Sequence, residues 1–151
     1  MALEWLKQRY SEVSAGLKTE VAKLKNKSFL EAVVAGCTLV AHADGVVRPE
    51  EKQKMMGFLR NSEVLSVFSV DEVITIFDKY AKQFDFDHQI GQASALQAVA
   101  KVKGSEAEAR LMVRVCCAVG AADGDFDEKE KAVVRKICAE LGLNPKDFDL
   151  T

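Results

Sequence analysis

Ala43-Asp44-Gly45-Val46-Val47-Arg48-Pro49-Glu50-Glu51-Lys52 returns 79 residues later as Ala122-Asp123-Gly124-Asp125-Phe126-Asp127-Glu128-Lys129-Glu130-Lys131. The two stretches share the alanine, the aspartate, the glycine, a glutamate six residues after that glycine, and the lysine that follows. An apolar residue, Val47 or Phe126, stands two after the glycine. The flanks agree as well: Cys37 aligns with Cys116, and Met55 and Phe58 with Val134 and Ile137. A self-match at fixed offset predicts a duplicated helix–loop–helix hairpin, over about 29–60 and again over 108–139. The two hairpins are expected to pack about a pseudo-two-fold axis that brings the loops near each other. Gly45 and Gly124 suit the left-handed position that ends a helix. Val47 and Phe126 pin each loop to the core, and Glu51 and Glu130 fall where a carboxylate meets the positive end of the next helix.

Outward from these loops the chain reads as helical throughout. Leu3, Leu6, Tyr10, Val13, Leu17 and Leu24 recur at three- and four-residue steps, which predicts an amphipathic helix over about 3–24. Capping boxes predict four helix starts, at Ser28-Phe29-Leu30-Glu31, Ser69-Val70-Asp71-Glu72, Ser105-Glu106-Ala107-Glu108 and Asp127-Glu128-Lys129-Glu130. Pro49 suits the first position of a further helix running to about Arg60. Asp87 can cap another from about His88 to Lys101, and Asn144-Pro145 permits a last short turn that lets Phe148 and Leu150 dock. Phe84-Asp85-Phe86-Asp87 reads as a loop with two buried rings and capping acids. The expectation is an all-α fold of about seven helices, in a single domain over 28–151 preceded by a basic amphipathic helix over 1–27.

Two prolines and nine glycines in 151 residues are too few for a β-sandwich, and 48% hydrophobic content is ample for one core. The net charge of −2 divides unevenly, with +3 on residues 1–27 and −5 on the remainder. An acidic body argues against nucleic acid as a partner. No apolar run is long enough to span a bilayer, and Glu4, Lys7, Gln8 and Arg9 interrupt any signal-peptide core. The basic arm carries Trp5 among its lysines, which admits at most peripheral membrane contact, with docking on the body or a partner preferred. Cys37, Cys116, Cys117 and Cys138 lie in apolar helical runs without metal or disulfide spacing. They read as reduced core thiols of a cytoplasmic protein.

The spacing from Asp44 to Glu51, and from Asp123 to Glu130, coincides with the second half of an EF-hand loop, where the glycine turns the chain and the glutamate supplies oxygens. The first-half ligands are missing, since Val40 and His42, or Val119 and Ala121, stand there. The second stretch is the richer, with Asp123, Asp125, Asp127, Glu128 and Glu130 within eight residues. The first puts Arg48 and Pro49 where Asp127 and Glu128 stand. Oxygen ligands favour Ca²⁺ or Mg²⁺ over Zn²⁺. His42 and His88 read as polar bystanders near the acids. Nothing marks a nucleophile, a phosphate loop or a substrate pocket, so a non-enzyme is expected.

The stretches over 43–60, 84–92 and 121–142 resemble the TerB family of tellurite-resistance proteins, and the likeness extends from Lys25-Asn26-Lys27 to Asp147-Phe148-Asp149-Leu150. The resemblance implies an all-α fold and a bacterial stress response to tellurite. It also implies metal binding through Asp44, Glu50, Glu51, Asp123, Asp127 and Glu130, to which the crowding in the second loop adds Asp125. It further implies action alongside other tellurite-resistance proteins at the inner membrane, including an integral membrane partner. The alternative is a structural adaptor in which the same acids only cap helices.

Overall fold

The computed structural model describes residues 26–122 and 124–150. The helix expected over 3–24 therefore lies outside the described residues, as do Asp123 and Thr151. The described residues form six α-helices and two 3-10 turns, with no strand among them.

Helix α1 (26–41) is the centre of the fold. From Phe29 to Ala41 every residue except Glu31 is buried. A helix apolar on all sides must be surrounded by others. Gly36 lets its neighbours approach closely: a Cβ there would lie 2.9 Å from Cys116 Sγ and 3.8 Å from Val99. The expected cap at Ser28 is not one. Residues 26 and 27 are already helical and Ser28 is an exposed position inside α1. A serine can cap only where the preceding chain leaves the helix, and here it does not.

Glu31, freed from capping, joins α1 to its neighbours. Its side chain is 15% exposed and accepts from the Tyr80 hydroxyl at 2.6 Å and Lys79 Nζ at 3.1 Å, with Lys101 Nζ at 3.6 Å. Burial alone would raise its carboxyl, but the Tyr80 hydroxyl and the two lysines outweigh burial and hold it below the usual value. A depressed carboxyl stabilises the fold above its unfolded-state pKa, and that stability is lost as pH falls through the folded-state value. Glu31→Gln is thus expected to lower stability by about 2 kcal/mol at neutral pH, and the gap to the wild type should close in acid. Thermal melts at both pH values check this, and a gap that widens in acid overturns it.

The remaining helices are α2 (Pro49–Asn61), α3 (Val70–Phe86), α4 (His88–Val99), α5 (Glu106–Gly120) and α6 (Glu128–Leu141), with 3-10 turns at Ala100–Val102 and Pro145–Phe148. Ser69, Asp87, Ser105 and Asp127 each cap the helix that follows, as expected. Helices α3 and α4 pack on each other, α2 on α5, and α5 and α4 on α6. At the chain end Leu150 is buried and Phe148 packs on the core. Arg135 holds the Leu150 carbonyl at 3.0 Å, and Arg110 reaches Asp147 at 3.3 Å.

The Phe84–Asp87 segment corrects another expectation. It is not a loop with two buried rings: α3 runs through it to Phe86. Successive helical residues are 100° apart, so Phe84 faces inward at 7% exposure while Phe86 faces solvent at 83%.

Candidate functional site

The two acidic loops share their local construction. Gly45 and Gly124 have φ of 82° and 87°, and their amides donate to the carbonyls of His42 and Ala121 at 3.1 and 3.0 Å. Glycine, having no Cβ, takes positive φ at such a helix exit without the steric penalty other residues meet. Val47 and Phe126 pack against the core. Glu51 and Glu130 are each 2% exposed. Glu51 Oε1 accepts the Arg48 amide at 3.0 Å, and Glu130 Oε1 accepts the Asp127 amide at 3.2 Å. A buried carboxylate needs such donors to offset its lost hydration.

The loops differ at the residue before the second helix. In the first, Asp44 Oδ1 accepts the Val46 amide at 3.0 Å and Oδ2 accepts Arg48 Nη1 at 2.9 Å. Partial burial raises the Asp44 carboxyl, but the Val46 amide and the Arg48 guanidinium overcome it and lower it. Arg48, which can only donate, gives no cap to the helix amides; its use is to neutralise Asp44. In the second loop the same position is Asp127, whose Oδ1 accepts the Glu130 amide at 2.8 Å. Residues 43–52 hold three acids and two bases, whereas 122–131 hold five acids and two bases. The first loop contains its own cation, and the second reverses that charge.

The predicted site residues are only partly brought together. Asp44 and Glu51 flank the first loop, with Asp44 bound to Arg48. Glu50 is exposed and turned away: with Gln53 and Lys54 it lines a recess of about 490 Å³ against Ala118, Ala121 and Ala122, the entry to the second loop. Asp127 and Glu130 cap α6, Asp125 is exposed, and Asp123 lies outside the described residues. Among the described residues no three His, Cys, Asp or Glu side chains are grouped so as to hold a metal ion. The first loop does not suit a cation, because both Asp44 oxygens are engaged and a guanidinium is already there. In the second, Asp127 and Glu130 likewise accept backbone amides, but no cation stands at the position of Arg48, and Asp125 is exposed beside them in the chain.

His42 is 9% exposed, stacked on Phe84 at 4.6 Å between centroids, with Nδ1 2.8 Å from the Thr38 carbonyl. A carbonyl only accepts, so Nδ1 carries a proton and the ring is held as part of the core. His88 opens α4 and meets the Phe84 ring edge-on. The cysteines are free thiols. The neighbouring Cys37 thiol and burial push Cys116 up; burial and nearby thiols push Cys117 and Cys138 up to about 11.

Helices and loops together define an all-helical domain carrying paired acidic helix–loop–helix turns. A family model described as Tellurite resistance protein TerB matches residues 30–151, and the chain belongs to the TerB family. It is similar to Tellurium resistance protein TerB of Alcaligenes sp, with 43% identity over 99 residues, which are 66% of this chain and 81% of the relative. No solved structure matches it. No helix among the described residues is long and apolar enough to cross a membrane.

Proposed function

We propose that this protein is a non-catalytic, ion-responsive scaffold of bacterial tellurite resistance, acting in the cytoplasm with other proteins of that system, an integral membrane partner among them. One hard divalent cation, Ca²⁺ or Mg²⁺, binds at the second loop through Asp123, Asp125, Asp127 and Glu130. The observation that carries this reading is the exchange of Arg48 for Asp127 at matching positions. The first loop meets its acid with a guanidinium, and the second presents a carboxylate there. The matching geometry of the loops also supports reading them as copies of one hairpin. The raised thiols of Cys116, Cys117 and Cys138 are poor nucleophiles at neutral pH, which speaks against detoxification through them.

An ion at about 100 times its dissociation constant adds about 2.7 kcal/mol of stability. Melts in Ca²⁺, Mg²⁺ and Zn²⁺ against EDTA should therefore show an upward shift with the first two. The shift should vanish in Asp123→Asn/Glu130→Gln and survive in Asp44→Asn. No shift at millimolar ion sinks the proposal and leaves the adaptor reading, which is favoured by the capping work that Asp127 and Glu130 already do.

A further inference from the structure

A groove of about 520 Å³ runs between α2 and α5. Phe58, Val115 and the 36% exposed Leu111 form part of its lining. Among the described residues its charged lining side chains, Lys54 and Arg114, are both cations in a protein of net charge −2. Gly57, in the middle of α2, also lines the groove, and nothing lies within 4 Å of where its Cβ would be. A glycine inside a helix costs about 1 kcal/mol relative to alanine. Among the described residues no turn, positive φ or close approach requires it. What it supplies is open space on the groove wall.

The complementary surface is at the α3–α4 corner. Phe86, 83% exposed, is the most exposed large hydrophobic side chain among the described residues, and Ile90, four residues on in α4, is 49% exposed. Asp85 and Asp87 flank Phe86, and with Lys82 the corner remains net acidic. An apolar, acidic knob and an apolar, basic groove thus lie on different helix pairs of one chain.

We propose that the α2–α5 groove receives the Phe86 corner of a second copy of this chain. The ring enters the space above Gly57, and Asp85 and Asp87 approach Lys54 and Arg114. Such a contact is head-to-tail: each copy keeps one unused groove and one unused knob, so association continues unless it closes into a ring. One ring and one isoleucine make a small interface, below the roughly 1,200 Å² of stable complexes, so the association is reversible and weakens with salt.

Sedimentation velocity across the micromolar range tests this on the full chain. Wild-type mass should rise with concentration, and the rise should be lost in Phe86→Ser and in Gly57→Leu. The Gly57→Leu melt, no lower than wild type, shows that the loss is not unfolding. Mixing these two variants should give a one-to-one dimer and nothing larger, because Phe86→Ser retains the groove and Gly57→Leu retains the knob. A wild type that stays monomeric, an assembly that survives either substitution, or a mixture that does not associate overturns the proposal.

Discussion

Gly91→Ala is expected to destabilise the protein by about 3 kcal/mol, the upper end of overpacking penalties. Only Asp87 separates α3 from α4, and it serves as the C-cap of one and the N-cap of the other. So short a corner presses α4 onto the last turns of α3. A Cβ on Gly91 would fall 2.5 Å from Phe84 Cγ and 2.7 Å from both the Phe84 Cα and its backbone nitrogen. A side chain could rotate away, but a backbone nitrogen cannot, so the helices must part and draw Phe84 off His42. For a chain of this size the melting temperature should fall by about 6–12 °C. Intrinsic propensity acts in the opposite direction, since alanine is favoured over glycine by about 1 kcal/mol in a helix interior. Gly57→Ala, with open space at its Cβ, is the matched control and should melt no lower than wild type. If Gly91→Ala behaves like Gly57→Ala, the corner is not built on that backbone contact.

These two glycines show where a sequence stops being readable. Each sits inside a helix among ordinary helix formers, and only the tertiary neighbours tell one from the other. The caps at Ser69, Asp87 and Asp127 were legible because capping is local: the side chain bonds an amide two or three residues away. Ser28 carried the same signal and misled, because α1 is helical before it and the burial of Phe29 and Leu30 fixes the helix there. Phe86 misled because α3 extends through the segment, and a shift of two residues in a helix turns a side chain across the axis. At the candidate site, the left-handed glycines and the helix-start positions of Glu51 and Glu130 followed from spacing alone, whereas the burial of both glutamates did not. The Asp44–Arg48 pair was not among the expectations, although opposite charges four residues apart carry its signal. The position of Glu50 beside the second loop, and not with Asp44, needed the packing of α2 on α5.

The second large effect is expected at Gly120 and Phe126, and it is a coupled one. A Cβ on Gly120 would lie 2.7 and 2.9 Å from two Phe126 ring carbons and 3.3 Å from Val40 Cγ1. The ring therefore rests on bare backbone, and Gly120→Ala should lift it, destabilising by about 2 kcal/mol. Phe126→Val removes ring atoms packed on the core and should also destabilise by about 2 kcal/mol. In the other stretch the matching positions are Ala41 and Val47. One loop uses a small residue and a medium one where the other uses no side chain and a ring, so the combined volume is kept. The double variant Gly120→Ala/Phe126→Val reproduces the first combination and should be more stable than the sum of the singles by at least about 1 kcal/mol, as for residues in contact. Urea unfolding of the four proteins measures this, and strict additivity would show that Phe126 does not lean on residue 120 in solution. The consequence reaches the acids, because Phe126 stands between Asp125 and Asp127 in the chain. Lifting the ring displaces both carboxylates, so an ion-dependent stabilisation should be lost in Gly120→Ala and regained in the double variant, although neither changed residue carries a ligand atom.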